Sequence, residues 1–385
     1  MRNKILGYAI GPIGSAALGF ITLPLLTWFY SVEDIGRISM LQVVASFSVL
    51  LFCLGLDQAY VREYYEADNK PKLFKQSILP GLLLMLISFA LVYLVGSDKL
   101  SNWLYGIPSK YLTLVSIACF ILAFISRFLS LILRMQNKAI AYSMSQLLPK
   151  LAFLIFILSS VLFGFQKNIY NLITAHALSI FFVFFIFAWN TRKEWMASIF
   201  IRFDRVQHKA LMGFGLPLVV GGLASWGLNV MDKLFLRSMS TFEELGVYSV
   251  TMSIAGVASL FAGVFNTIWA PMVYRWVSEG IDVKRIDEVA SYVLAAVYFL
   301  IVLSGIFAWI LPYLLPEEYK AIRYLITLCL IGPLLYTLSE TTAIGIAISK
   351  KTIFSMLSSI GAMLSNLLGN YILVPGYGAL GAAIS

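Results

Sequence analysis

The feature that most limits this chain is the recurrence of apolar runs long enough to cross a lipid bilayer. A bilayer-crossing helix takes about 20 mainly apolar residues. Runs such as 78–95 and 112–133 reach that length with almost no polar side chain to offer water. Such windows fall at about 7–30, 38–60, 77–96, 111–133, 141–163 and 170–190, then at about 211–236, 246–270, 289–311, 322–346 and 353–375. Residues 377–385 read as the opening of a twelfth span that is cut short. In lipid every backbone polar group must be satisfied within the segment, so helices are the expected element. The expectation is an all-α, polytopic helical membrane protein.

Composition agrees and removes other classes. Of 385 residues, 60% are hydrophobic and 12% charged, against roughly 45–50% and about 25% in soluble domains. The formal charge of +9 does not call for a nucleic-acid partner, because the basic residues sit in short loops between spans. Cys53, Cys119 and Cys329 lie inside apolar runs, where a buried thiol acts as a small hydrophobe. Two histidines and no cysteine pair give no zinc pattern, and no phosphate-cradling Gly-x-x-x-x-Gly-Lys run is present. No metal, cofactor or nucleotide-hydrolysing engine is expected. Met1-Arg2-Asn3-Lys4 resembles the start of a signal peptide, but the apolar stretch runs on to Phe29, so a retained first span is expected.

Loop charges predict the orientation. With the N-terminus cytoplasmic, 18 of the 28 Lys and Arg fall in inner segments and 7 in outer ones, while Arg127, Lys150 and Lys233 lie within spans. That bias follows the positive-inside rule and predicts a multi-pass protein of the cytoplasmic (inner) membrane. The longest inner connection, 191–209, carries Trp195, Ile199 and Phe203 at four-residue spacing among basic residues. It reads either as a helix lying in the headgroup zone or as a solvated basic loop.

An internal repeat divides the chain. Val32-Glu33-Asp34-Ile35-Gly36 resembles Phe242-Glu243-Glu244-Leu245-Gly246, 210 positions on; Ser143-Met144 matches Ser355-Met356 and Gly164-Phe165 matches Gly376-Tyr377, each 212 positions on. A repeat of six spans returns to the side on which it began, so a pseudo-two-fold axis along the membrane normal is expected. The expected organisation is an N-terminal six-helix lobe at 1–195, a cytoplasmic interfacial linker at 196–210 and a C-terminal lobe at 211–385.

Two kinds of polar residue invite a function. Ser31-Val32-Glu33-Asp34 and Thr241-Phe242-Glu243-Glu244 precede the second and eighth spans. A hydroxyl followed by an acid three residues on caps a helix start; an acidic pair on the outer face is also what a membrane glycosyltransferase would use. Recurrence in both halves favours capping. Ionisable groups within spans are costly and usually face a cavity or a partner. Arg127 and Lys150, on adjacent antiparallel spans, either line an anion-attracting vestibule or snorkel to the inner headgroups. Glu340 lies one residue from the repeat equivalent of Arg127, where a latch or a cation site are alternatives. Asp57 is expected to pair locally with Arg62. Asp232 and Lys233 are neighbours that cannot face each other on a helix, and His176 is expected to be a satisfied interfacial residue.

Several stretches resemble the polysaccharide exporter branch of the multidrug/oligosaccharidyl-lipid/polysaccharide flippase superfamily, especially Wzx-type O-antigen flippases. They are Leu25-Leu26-Thr27 through Gly36, Leu54-Gly55-Leu56-Asp57-Gln58-Ala59-Tyr60-Val61-Arg62, Asn229-Val230-Met231-Asp232-Lys233, and Asn370-Tyr371-Ile372-Leu373-Val374-Pro375-Gly376-Tyr377-Gly378. The resemblance implies a V-shaped pair of six-helix lobes, acting as a transporter rather than an enzyme. It implies alternating access that flips a polyprenyl-diphosphate-linked oligosaccharide from the cytoplasmic to the outer leaflet for O-antigen or capsule synthesis. Arg127, Lys150 and Arg62 are then the expected substrate-binding residues, and Asp57, Asp232, Lys233 and Glu340 the coupling or gating ones. The implied partners are the lipid-linked glycan, membrane lipids and polysaccharide polymerase machinery, with a monomer expected. A cation-coupled drug exporter of the same architecture is the alternative.

Overall fold

The structure is a computed structural model that describes residues 2–279, 284–349 and 353–385. Its long helices are α1 (Arg2–Phe29), α2 (Val32–Cys53), α4 (Lys70–Val95), α6 (Lys110–Met135), α7 (Ala139–Leu162) and α8 (Ile169–Asn190), then α10 (Arg205–Met239), α11 (Phe242–Ser278), α12 (Lys284–Phe307), α14 (Ile322–Ile348) and α15 (Ile353–Ile384). Short helices α3 (Leu56–Glu63), α5 (Lys99–Tyr105), α9 (Arg192–Ile199) and α13 (Leu311–Leu314) join them. Among the described residues there is no strand, and nine helical segments are long and apolar enough to cross a membrane. Outward faces are as greasy as the interior: Leu94, Leu162 and Phe163 are 79%, 84% and 80% exposed, as befits a surface wetted by acyl chains. Lys350 and Lys351, counted among the inner basic residues, lie outside the described residues.

The expected span 38–60 is two helices. α2 stops at Cys53, Leu54 and Gly55 take left-handed φ values of 52° and 69°, and α3 resumes at Leu56. A close approach accounts for the break, since a Cβ on Gly55 would overlap the carbonyl oxygen of Gly215 on α10. Glycine alone meets both the positive φ and that approach without strain. The last helix is interrupted as well. At Gly378 (φ 53°, ψ −127°) the chain turns back, bringing Gly381 against the carbonyl of Leu373 and Ser385 against Gly369.

The chain divides into two compact units, Met1–Thr22 with Arg37–Gly227, and Leu23–Gly36 with Leu228–Ser385. The first unit is built on interlocked rings: Phe52–Phe89, Phe89–Phe120, Phe124–Phe128 and Phe74–Phe128 have centroids 5.3–6.5 Å apart, the range in which aromatic pairs attract. α10 joins this unit through Gly215 on Gly55, Gly222 on Leu50, and Trp226, whose Nε1 donates to Ser46 Oγ at 2.9 Å. In the second unit Ala258, Val297 and Leu334 form one apolar cluster and Trp269, Val273 and Ile344 another.

Within the second unit the sequence repeat becomes a contact. A Cβ on Gly36 would overlap the carbonyl oxygen of Phe242, and one on Gly246 would overlap that of Val32. Each pair is the other with its members exchanged, the signature of a local two-fold. The helix starts are capped as expected: Ser31 Oγ accepts from the Asp34 N–H at 3.2 Å, and Thr241 Oγ1 from the Glu244 N–H at 3.2 Å. Glu244 departs from a reciprocal capping box. Its carboxylate accepts the Ala379 N–H at 2.7 Å, capping the turn that follows Gly378.

The connection 191–209 forms α9, an extended strap at 200–204 and the start of α10. Trp195 turns inward, its Nε1 donating to the Ala188 carbonyl at 2.7 Å, and α9 ends before Phe203. Ile199 and Phe203 of the expected stripe are exposed, and Met196, Phe200 and Val206 are exposed beside them. The strap is anchored from α4: Lys75 Nζ donates to the carbonyls of Ile199 and Ile201 at 2.8 and 2.7 Å, and Lys72 Nζ meets Asp204 Oδ2 at 2.8 Å.

Candidate functional site: a charged cavity inside the first unit

Helices α2, α3, α6, α7, α8 and α10 enclose a cavity of about 900 Å³, all of its lining belonging to the first unit. Asp57, Arg127 and Lys150 lie along it, and His176, Ser126, Gln42, Gln146 and Tyr142 add further polar groups. Depth follows from position on each helix at 1.5 Å per residue. Arg127 lies eight residues before the end of α6, Lys150 eleven after the start of α7, and His176 fourteen before the end of α8. All three are thus reached from the same end of the bundle, at about 12, 16 and 21 Å by that rise.

The break at Leu54–Gly55 sets the charge arrangement. It places Asp57 in the first turn of α3, where the positive end of a helix favours a carboxylate. Arg127 Nη2 and Nε both donate to Asp57 Oδ2, at 2.8 and 3.2 Å. The Asp57 side chain is only 12% exposed and that of Arg127 35%, so the carboxylate is the more enclosed partner. The expected pairing of Asp57 with Arg62 is not formed. Five residues on a helix rotate by about 140°, which sends Arg62 elsewhere: its guanidinium lies 4.4 Å over the Phe214 ring and 3.7 Å from Glu63. Arg62 lines a second cavity of about 550 Å³, with Glu63, Glu66 and Asp68.

Lys150 does not reach back along its helix toward a headgroup region. Its Nζ donates to the Ser15 carbonyl on α1 at 2.9 Å and faces Gly19. His176 corrects the expectation of a satisfied side chain. Its ring packs edge-on against Phe153, centroids 5.3 Å apart, and Nδ1 is buried with no hydrogen-bond partner; Ser126 Oγ, on the same cavity, is orphaned too.

The remaining candidates sit in the second unit. Asp232 collects three donors: Asn366 Nδ2 at 2.9 Å and Asn370 Nδ2 at 2.8 Å on Oδ1, and the Tyr248 hydroxyl on Oδ2. Lys233, the next residue, shares none of these bonds. Glu340 lies on α14, one turn on from Tyr336. The structure thus gathers Asp57, Arg127 and Lys150 around one cavity and leaves Arg62, Asp232, Lys233 and Glu340 outside it. Ser126, Asn366 and Asn370 escaped the sequence reading. The two asparagines, four apart within an apolar run, carried a signal of one polar helix face; a serine in a span carries none.

A bundle of membrane-length helices with a charged chamber inside it defines a polytopic helical membrane protein. A family model described as "Polysaccharide biosynthesis protein" matches residues 2–277, and the chain belongs to that family. It is 22% identical over 343 residues to "Lsg locus putative protein 1" of Haemophilus influenzae, covering 84% of this chain and 79% of the relative. It is 23% identical over 390 residues to an "Uncharacterized membrane protein" of the same organism, covering 97% and 92%. Its fold matches that of "Lipid II flippase MurJ, inward closed conformation", with TM-score 0.71 at 17% identity, over 98% of this chain and 83% of the other.

Proposed function

We propose that this chain is a transporter that flips a polyprenyl-diphosphate-linked oligosaccharide from the cytoplasmic to the outer leaflet by alternating access, for surface polysaccharide synthesis of the O-antigen or capsule type. The observation that carries the reading is the net positive cavity. Arg127 and Lys150 enter it against one carboxylate, Asp57. Arg127 spends two of the five N–H donors of a guanidinium on Asp57, leaving three aimed elsewhere. Guanidinium matches phosphate oxygens in geometry and charge, and a diphosphate is the anionic part of such a lipid. The family's description as polysaccharide biosynthesis proteins supports a glycan cargo.

Energetics agree with a carrier that hydrolyses nothing. Exporting an anion from a negative interior is downhill by about 2.3 kcal/mol per charge per 100 mV, so a diphosphate with two charges gains about 4–5 kcal/mol. In this reading the basic loops face the cytoplasm in the inner membrane, lobes 1–195 and 211–385 are the moving halves of a monomer, and a polymerase takes up the product. A cation-coupled drug exporter would want an unpaired acid in the cavity, and Asp57 is already engaged by Arg127. A glycosyltransferase using Glu33 and Asp34 is disfavoured by their place at a capped helix start that recurs at Glu243–Glu244.

The test is complementation of a strain lacking the transporter. Arg127→Ala with Lys150→Ala is expected to abolish surface glycan while membrane abundance stays normal; normal surface glycan in that double variant overturns the reading. Drug efflux by the intact protein in a sensitised strain would favour the exporter instead.

A further inference from the structure

The segment between the end of α8 and the first turns of α10 sorts its side chains by kind. Its two acids, Glu194 and Asp204, are engaged by the chain itself. Glu194 Oε1 accepts from Gln136 Nε2 at 3.1 Å. Asp204 Oδ2 meets Lys72 Nζ at 2.8 Å, while its Oδ1 accepts the Val206 and Gln207 N–H groups at 2.9 and 3.2 Å. What remains exposed is basic and apolar. Arg192, Lys193, Arg202, Arg205 and Lys209 are exposed, and interleaved with them are Met196, Ile199, Phe203, Phe200 at 89% and Val206 at 82% exposure. Where α10 begins, Arg205, Val206, Lys209 and Ala210 line an open hollow of about 490 Å³. Arg205 and Lys209 are four residues apart on a helix, so they stand on one face of it.

The level of this surface is set by membrane spans. α9 follows α8 with only Thr191 between them, and Trp195 bonds back to Ala188, two residues before the end of α8. Lys75, which holds the carbonyls of Ile199 and Ile201, lies five residues into α4, about 8 Å of helix rise. Trp189 is exposed with the Arg192 guanidinium 4.5 Å over its ring, and tryptophan is enriched where membrane meets water. The start of α4, the end of α8 and the start of α10 thus carry the strap at the rim of the bilayer.

Apolar side chains at such a rim enter the boundary of the acyl region, and cations beside them meet headgroups. A zwitterionic lipid would cover the apolar side chains and leave five cations without an answering charge. An anionic phospholipid answers both. We infer that the strap and the start of α10 form a binding surface for anionic phospholipid, with the lipid phosphate between Arg205 and Lys209 and its apolar part against Val206 and Ala210. Guanidinium and ammonium both serve phosphate oxygens, and the exposed apolar side chains of the strap anchor in the same leaflet. None of these four residues lines the cavity of Arg127 and Lys150, so the surface is independent of the cargo.

The experiment counts lipids bound to the full-length protein in detergent by intact-protein mass spectrometry. The probes are dioleoyl phosphatidylglycerol, dioleoyl phosphatidylcholine, inorganic phosphate and poly-glutamate. The protein is expected to bind phosphatidylglycerol about 25-fold more tightly than phosphatidylcholine, about fivefold for each of two cations near an anionic headgroup. Arg205→Ala with Lys209→Ala removes that preference, and Arg205→Lys with Lys209→Arg, which keeps both charges, retains it. Phe200→Ser with Val206→Ser weakens both lipids alike. Melting temperatures measured without added lipid separate loss of fold from loss of binding. Equal affinity for the two lipids, or a preference that survives loss of both cations, overturns the proposal. So does displacement of phosphatidylglycerol by inorganic phosphate at equal concentration, which marks a free-phosphate site, or tighter binding of poly-glutamate than of the lipid, which marks a surface for an acidic protein.

Discussion

At the residue scale the Asp57–Arg127 pair governs how the cavity behaves. Removing Arg127 alone leaves a mostly enclosed carboxylate without its counter-charge, whereas removing both partners leaves none. Arg127→Ala is therefore expected to cost about 1–3 kcal/mol, the burial being partial, and Arg127→Ala with Asp57→Ala is expected to cost less than the single change. Unfolding in detergent measures both. Arg127 and Lys150 were legible in the sequence because a charge inside an apolar run stands out on cost alone. The partner of Asp57 was not, since it depends on a chain break caused by Gly215, 160 positions away. His176 was legible as a polar residue in a span, but its lack of a partner is a property of neighbours that no local window contains.

At the scale of elements, span positions were readable from length and hydropathy, while breaks and straps were not. The helix starts were readable too, because Ser31 and Thr241 act locally; Glu244 was misread in part, because its target at Ala379 lies 135 positions on. Glu244→Ala is expected to cost about 1 kcal/mol, as loss of a charge-assisted cap does, measurable as a lower melting temperature in detergent. The strap after α9 yields a pH prediction. Lys72 beside Asp204, with the backbone N–H groups of Gln207 and Val206, holds that carboxyl below the usual range. A carboxyl lowered by folding adds stability that is complete above its unfolded pKa of about 3.9 and fades as pH falls through the lower folded value. Local protection of residues 199–204 in hydrogen exchange is expected to weaken in that acid window, and Asp204→Asn to remove the dependence.

At the scale of the whole molecule, loop charge makes a prediction about the membrane that composition cannot. Reporters inserted after Lys138 and after Arg202 are expected on the cytoplasmic side, and one inserted after Lys167 on the opposite side; the reverse pattern would overturn the orientation. Cys53, Cys119 and Cys329 are buried, so thiol reagents are expected to label the native protein slowly and the denatured protein fully. The likeness of the two capped helix starts was legible only as faint spacing, because helices in lipid are held to greasiness rather than to particular residues.

The crossing of Gly36 over Phe242 and Gly246 over Val32 couples two distant stretches of sequence. Each glycine is pressed on the main chain beside the other, so enlarging either one displaces both helices. The two helix starts therefore share one veto over change, and neither position is free to vary alone.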